Sequence, residues 1–155
     1  MTSRRRLPSG PILLDASFVL ALLDGDDRAA RFDDVLSHAV ITAVNLGEVL
    51  HTLAELAGLD PHRAAADLDA TGLQAQPVLP TDAEHFVELK RLDATARRAA
   101  GPQAAGTLSL GDICCLAHAW TEQLPVLTGD KHWLALAEAG LPVPVLDFRD
   151  PALRP

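Results

Sequence analysis

Aromatic residues make up only 4 % of this 155-residue chain, and sulfur is scarcer still, with two cysteines and one methionine. A core built without aromatics must be aliphatic. Hydrophobic residues at 48 % supply enough material for one compact domain. The two cysteines, Cys114 and Cys115, are adjacent within an expected helix. Vicinal cysteines rarely bridge each other, so they read as small buried hydrophobes in a reducing, cytoplasmic setting rather than as a disulfide framework. Positive charge is short as well: 13 Lys and Arg stand against 21 Asp and Glu, a formal net charge of −8. That balance argues against a generic polyanion binder, whose domain is normally basic. No His-Glu-x-x-His stretch and no Cys/His zinc spacing occurs. Internal repeats, linkers and low-complexity segments are also missing. A single domain over 1–155 is therefore expected, with 1–10 and 149–155 loosely ordered.

Only one long apolar run is present, Ile12 to Leu23, reading ILLDASFVLALL. Arg4-Arg5-Arg6 precedes it, as in a secretory signal, but Asp15 splits the run and no small-x-small cleavage site follows. The run is too short to span a bilayer. It reads as a short buried strand leading into a helix, with no membrane role. Asp15 is then the anomaly. A carboxylate among buried aliphatics costs several kcal/mol unless it is paired, solvated or bound to a metal.

Along the rest of the chain, short apolar segments alternate with helical patterns. Strands are expected at Pro11–Leu14, Ala39–Ile41, Gln76–Leu79, Pro125–Thr128 and Val143–Leu146. Helices are expected over 16–23, ended by Gly25, and over 27–37. Another is capped by Thr42 and closed by Gly58, and the next runs from Pro61 to about Thr71. The pattern then gives a long helix from Thr81 to Ala100 capped by Thr81, one over 110–122 capped by Ser109, and a short one over 131–139. Strands apolar on both faces, alternating with helices, predict a parallel sheet covered on both sides.

In such a sheet ligands bind at the carboxyl ends of the strands. Asp15 directly follows the first strand and Asp130 the fourth. Asp112 lies in the first turn of the helix capped by Ser109, and Glu48 two turns into the helix capped by Thr42. Each has an ordinary alternative: Asp112 as a complement to its helix dipole, Glu48 as a solvated helix residue, Asp130 as a turn residue or cap. Together they can converge on one rim. Two like charges 5 Å apart repel by roughly 3 kcal/mol at an effective dielectric near 20. Four acids must therefore raise one another's pKa values or bind a cation. Hard oxygen ligands at a partly open site select Mg²⁺ or Mn²⁺, ions suited to phosphodiester cleavage.

The motifs Leu14-Asp15-Ala16-Ser17, Asn45-Leu46-Gly47-Glu48-Val49, Ser109-Leu110-Gly111-Asp112 and Leu127-Thr128-Gly129-Asp130-Lys131-His132-Trp133, in this order, resemble PIN-domain ribonucleases. Their spacing is similar to that of VapC-type toxins of bacterial type II toxin–antitoxin pairs. The resemblance covers about residues 11–147. It implies a three-layer α/β/α fold around five short parallel strands and a Mg²⁺ or Mn²⁺ site built from Asp15, Glu48, Asp112 and Asp130. It also implies supporting roles for Ser17, Asn45 and Thr128, and no organic cofactor. The implied activity is hydrolysis of structured RNA (tRNA or rRNA). The implied partners are a VapB-like antitoxin, whose basic segment would cover the acids, and a second subunit in a homodimer. Gly129 stands where alanine is common, a departure expected to matter little.

Basic residues that can guide RNA toward an acidic pocket lie on the helix expected over 81–100. Lys90 and Arg97 share a face, with Arg91 and Arg98 beside them. Arg28, Arg31 and Arg63 add to the set. The ordinary reading is a solvated helix face. His51 follows Glu48 by three residues and reads as packed or solvated, and Trp133 as packing for the last helix. Other phosphoryl-transfer sites on similar sheets fit less well. A haloacid-dehalogenase-type phosphatase needs a second Asp where Ser17 stands, and a receiver domain needs an Asp where Pro80 stands. A PIN nuclease outside toxin–antitoxin systems, or a partner-binding module with little catalysis, remains as an alternative.

Overall fold

The computed structural model describes residues 5–104 and 106–155. Its strands are β1 (Ile12–Leu14), β2 (Ala39–Thr42), β3 (Gln74–Gln76), β4 (Val126–Thr128) and β5 (Val145–Asp147). They form one sheet in the order β3-β2-β1-β4-β5, and every pairing is parallel. Around it lie α1 (Ala16–Leu23), α2 (Asp27–Ala30), α3 (Ala43–Ala57), α4 (Pro61–Ala70), α5 (Pro80–Ala83), α6 (Phe86–Ala100), α7 (Leu110–Glu122) and α8 (Lys131–Glu138). Among the described residues, no helix is long and apolar enough to cross a membrane.

Side-chain alternation along the strands divides the interior into two cores. Ile12 and Leu14 join Phe18, Ile41, Val49, Leu127 and Phe148 on one face. Leu13, Val40 and Val126 join Leu116, Trp133 and Leu136 on the other. This is the α/β/α architecture expected from strands apolar on both faces. Trp133 is fully buried, as its sequence context suggested, and both cysteines are free and buried.

Three elements differ from expectation. Strand β3 ends at Gln76 because Pro77 has no N–H to give the ladder. The segment expected as one helix from Thr81 is two, α5 and α6, separated at Glu84–His85. Leu79, not Thr81, occupies the cap, and its N–H donates to the Asp82 carboxylate at 2.8 Å. The helical segment expected over 27–37 is the single turn of α2 followed by a 3-10 segment at Asp33–His38.

The C-terminal segment 149–155 is tied down rather than loosely held. The Arg31 guanidinium donates to the carbonyls of Phe148, Asp150 and Leu153 at 2.6–2.9 Å, and Leu153 is buried. Arg154 N–H donates to the Arg5 carbonyl, and Leu7 N–H to the Arg154 carbonyl, so residues near the two ends pair. For 1–4, the expectation of loose order lies outside the described residues.

Candidate functional site

The sheet reverses its winding between β1 and β4, the place where open α/β sheets receive ligands. Asp15 extends the β1–β4 pairing by one residue, its N–H donating to the Leu127 carbonyl at 3.1 Å. Its backbone is then extended (φ −76°, ψ 150°), and α1 begins at the next residue. Asp15 is only 5 % exposed. Ser17 Oγ and Thr128 Oγ1 both donate to its Oδ2, at 2.6 and 2.7 Å. The same two hydroxyls accept from the next β4 loop: Gly129 N–H donates to Ser17 Oγ and Asp130 N–H to Thr128 Oγ1. One small network thus fixes Asp15 to the chain that carries Asp130.

Asp130 caps α8, its Oδ1 accepting from His132 N–H at 2.8 Å. His132 Nε2 is in turn bonded to Asp93 Oδ1 of α6 at 2.6 Å, and Thr107 Oγ1 donates to Asp93 Oδ2. Asp112 forms a reciprocal capping box with Ser109: its N–H donates to Ser109 Oγ and its Oδ2 accepts from Ser109 N–H. The dipole-and-cap role of Asp112 is therefore real, and it occupies one oxygen only.

Glu48 reaches the same place from α3. Asn45, buried beneath it, donates from Nδ2 to Glu48 Oε2 at 3.0 Å and to the Gly111 carbonyl at 3.2 Å. Thr42 Oγ1 donates to the Asn45 side-chain oxygen and accepts from its N–H. The Glu48 carboxylate lies over Gly111 so closely that a Cβ there would meet Oε1 at 2.2 Å. Glycine at 111 is what lets Glu48 approach the first turn that carries Asp112.

Electrostatics couples Asp15, Asp112 and Asp130. Burial pushes the Asp15 carboxyl up to about 6. The Ser17 and Thr128 hydroxyls oppose the rise, and the charges of Asp112 and Asp130 add to it. Asp112 is also raised, by burial first and by Asp130. The buried Cys115 thiol is pushed well up by its burial, with Asp15, Asp112 and Glu48 adding to the effect.

The donor set suits a hard divalent cation. In each acid the protein's hydrogen bonds fall on a single oxygen: Oδ2 of Asp15, Oε2 of Glu48, Oδ2 of Asp112 and Oδ1 of Asp130. The second oxygen of each takes none of these bonds. Among the described residues, no three His, Cys, Asp or Glu side chains close on one common ion position. The acids form an open rim rather than a preformed cage.

The basic residues are distributed differently from the acids. Lys90, Arg91, Arg97 and Arg98 are exposed on α6. Arg91 pairs with Glu88 at 3.4 Å, and none of the four bonds a rim acid. Arg28 is held by Asp26, Arg63 lies 3.9 Å from Asp67, and Arg31 is spent on the C-terminal carbonyls. His51 is solvated.

Two features were not legible beforehand. The first is the buried pair Asp82–His118. The second is Arg149, whose Nη1 donates to the Gly129 carbonyl at 2.8 Å. Gly129 is not interchangeable with alanine here. A Cβ would meet Phe148 Cε1 at 2.6 Å and Arg149 Cζ at 2.9 Å.

A model of the PIN domain family matches residues 12–139. No curated protein matches the chain in sequence. Several solved structures share its fold. A toxin–antitoxin complex from Klebsiella pneumoniae is 18 % identical with a TM-score of 0.61, covering 93 % of this chain and 96 % of that one. VapBC2 from Rickettsia felis, bound to a DNA fragment from its promoter, is 13 % identical with a TM-score of 0.63, covering 88 % and 98 %. VapC20 from Mycobacterium tuberculosis, a Sarcin-Ricin loop cleaving toxin, is 20 % identical with a TM-score of 0.54, covering 84 % and 95 %.

Proposed function

The chain belongs to the PIN domain family, and from that premise we propose that it is a Mg²⁺- or Mn²⁺-dependent endoribonuclease. Its substrate is structured RNA, tRNA or rRNA, in the cytoplasm, and it acts as a VapC-type toxin restrained by a VapB-like antitoxin. The observation that carries this reading is the rim itself. Asp15, Glu48, Asp112 and Asp130 stand at the carboxyl edge of a parallel sheet, each with one oxygen held by the protein and one left over. Bound there, the cation supplies Lewis-acid stabilisation of the scissile phosphate and its leaving oxygen. The side chains do the positioning. Ser17 and Thr128 lock the Asp15 carboxylate, Asn45 sets the Glu48 rotamer, and Ser109 sets Asp112. Water is the attacking group. Its oxygen bonds to phosphorus, the ester oxygen departs with a proton, and no covalent enzyme intermediate forms. The nearby Cys115 thiol is buried and protonated, which removes it as a nucleophile.

The antitoxin reading draws support from an apolar cavity of about 820 Å³ between α1, α3 and α4. Leu20, Leu53 and Leu56 line it, and Leu56 is 83 % exposed. A surface of that kind asks for an apolar partner segment. Two of the fold relatives are themselves complexes of toxin with antitoxin or VapB with VapC. A homodimer fits the exposed apolar residues outside that cavity, such as Val44, Val87 and Leu110. Sedimentation giving only monomer at micromolar concentration would refute it.

The test of the main reading is cleavage mapping on total cellular RNA with Mg²⁺ and with chelator. Discrete Mg²⁺-dependent cuts are expected for the wild type and none for Asp112→Ala or Asp15→Ala. Full cleavage by Asp15→Ala would sink the assignment. Expression of the chain should arrest growth, and co-expression of a small basic partner should relieve the arrest.

A further inference from the structure

The rim is acidic and the cations of α6 do not reach it, which leaves open what holds the polyanionic strand near the acids. One exposed cation does stand at the rim. Strand β4 has Asp15 on one side and Phe148 on the other, where Phe148 N–H donates to the Thr128 carbonyl at 3.1 Å. Arg149 therefore emerges across Gly129 from Asp15. Its backbone is anchored three ways. Phe148 is fully buried and packs edge-on against Phe18 at 5.4 Å. Arg149 N–H donates to Asp147 Oδ1, and Arg31 clamps the Phe148 and Asp150 carbonyls.

Its side chain is docked as well. Nη1 donates to the Gly129 carbonyl at 2.8 Å, and the guanidinium lies 5.1 Å from the Phe148 ring centre. The carbonyl is neutral and Arg149 is in none of the ion pairs among the described residues, its charge acting only at longer range to help hold the Asp26 carboxyl down. Its remaining N–H groups stay available. Arg149 also lines two adjoining cavities. One runs past Ser17, and the other, of about 920 Å³, carries Arg5, Arg28 and Lys131 with Glu138, Asp147 and Asp150. A preorganised guanidinium with free parallel donors is the group that phosphate recognition uses.

We propose that Arg149 is a substrate-binding residue that grips a backbone phosphate of the RNA strand beside the acidic rim, and that Gly129 is required because only glycine lets the guanidinium dock there. This rests on the nuclease reading for the identity of the strand. Arg149 also lines the end of the apolar cavity, but phosphate is favoured over an acidic peptide because the guanidinium is held at the Gly129 carbonyl, one residue from Asp130 of the rim.

The test measures binding of a short single-stranded oligoribonucleotide by full-length protein carrying Asp15→Asn, which removes cleavage from the readout. Adding Arg149→Ala should weaken binding roughly tenfold and reduce the slope of log K against log salt by about 0.7, one lost phosphate contact. Gly129→Ala should reproduce both changes, and combining it with Arg149→Ala should add nothing further. In cleavage assays with Asp15 restored, Arg149→Ala should raise KM about tenfold with kcat little changed. Arg149→Gln keeps the length and polarity without the charge and should behave like Arg149→Ala.

Unchanged affinity and salt slope in folded Arg149→Ala would overturn the proposal. So would a loss confined to binding of a protein partner. Failure of the wild type to cleave any RNA would instead count against the nuclease reading, while the binding slope still judges Arg149.

Discussion

Two carboxylates in this molecule are buried almost equally, Asp15 at 5 % and Asp82 at 0 % exposure, yet their proton affinities move in opposite directions. Burial raises both. At Asp82 it is outweighed by the Leu79 N–H, the Thr121 hydroxyl and His118 Nδ1 at 3.0 Å, which together hold the group below its ordinary value. At Asp15 two hydroxyl donors are not enough, and Asp112 and Asp130 push the same way as burial, so the group rises to about 6. Asp82 has its hydrogen-bond donors within the chain. Asp15 is surrounded by further acids, and its cation must come from outside. A structural buried carboxylate and a ligand-seeking one thus differ in their partners as well as in the cost of their burial.

Breaking the internal pair should have the largest effect. His118→Ala removes one of the buried donors to Asp82, and leaving a charged buried group short of a donor costs about 3 kcal/mol. Denaturant unfolding should register that loss while cleavage per folded molecule is retained.

The opposite sign is expected at the rim. Holding Asp15 at about 6 instead of 3.8 penalises its ionised form by roughly 3 kcal/mol at neutral pH. A raised folded-state value means the contribution is present below pH 4 and lost as pH rises through 6. Metal-free Asp15→Asn should therefore match the wild type near pH 4 and exceed it by up to about 3 kcal/mol at pH 8. Equal stability at both values would contradict the comparison.

Gly111→Ala sharpens it further. The new Cβ displaces the exposed Glu48 carboxylate, a flexible end that can yield. Stability should hold or rise slightly, since alanine is the better helix former. Cleavage should fall about 10- to 100-fold, about 1.4–2.7 kcal/mol of barrier. The smallest effects belong to α6. Lys90→Ala, Arg91→Ala, Arg97→Ala and Arg98→Ala should each change cleavage less than about twofold, as expected of solvated cations. A loss as large as that of Arg149→Ala would move the strand's path onto α6.

The fold was readable where local chemistry is decisive. Thr42 and Gly58 bound α3, Ser109 starts α7, and strands apolar on both faces announce a two-sided sheet. Asp15, Asp112 and Asp130 stood out because each sits beside a strand end or a cap, whereas Glu48 stood out only through the motif Asn45-Leu46-Gly47-Glu48. What escaped depends on contacts between distant segments. Asp82 and His118 are 36 residues apart, and nothing in either helix's periodicity pairs them. Arg31 looked like one more surface cation until Phe148, Asp150 and Leu153 turned their carbonyls to it. Gly129 looked replaceable because the reason for glycine lies 20 residues on, in Phe148 and Arg149.

The most direct test of the rim as a divalent-cation site is an NMR titration of the Asp15 carboxyl carbon with and without Mg²⁺. Without the ion its midpoint should lie near 6. Saturating Mg²⁺ should carry it below 4, with the Asp82 signal unmoved as an internal reference. An Asp15 midpoint that stays near 6 at saturating Mg²⁺ and Mn²⁺ would contradict the account.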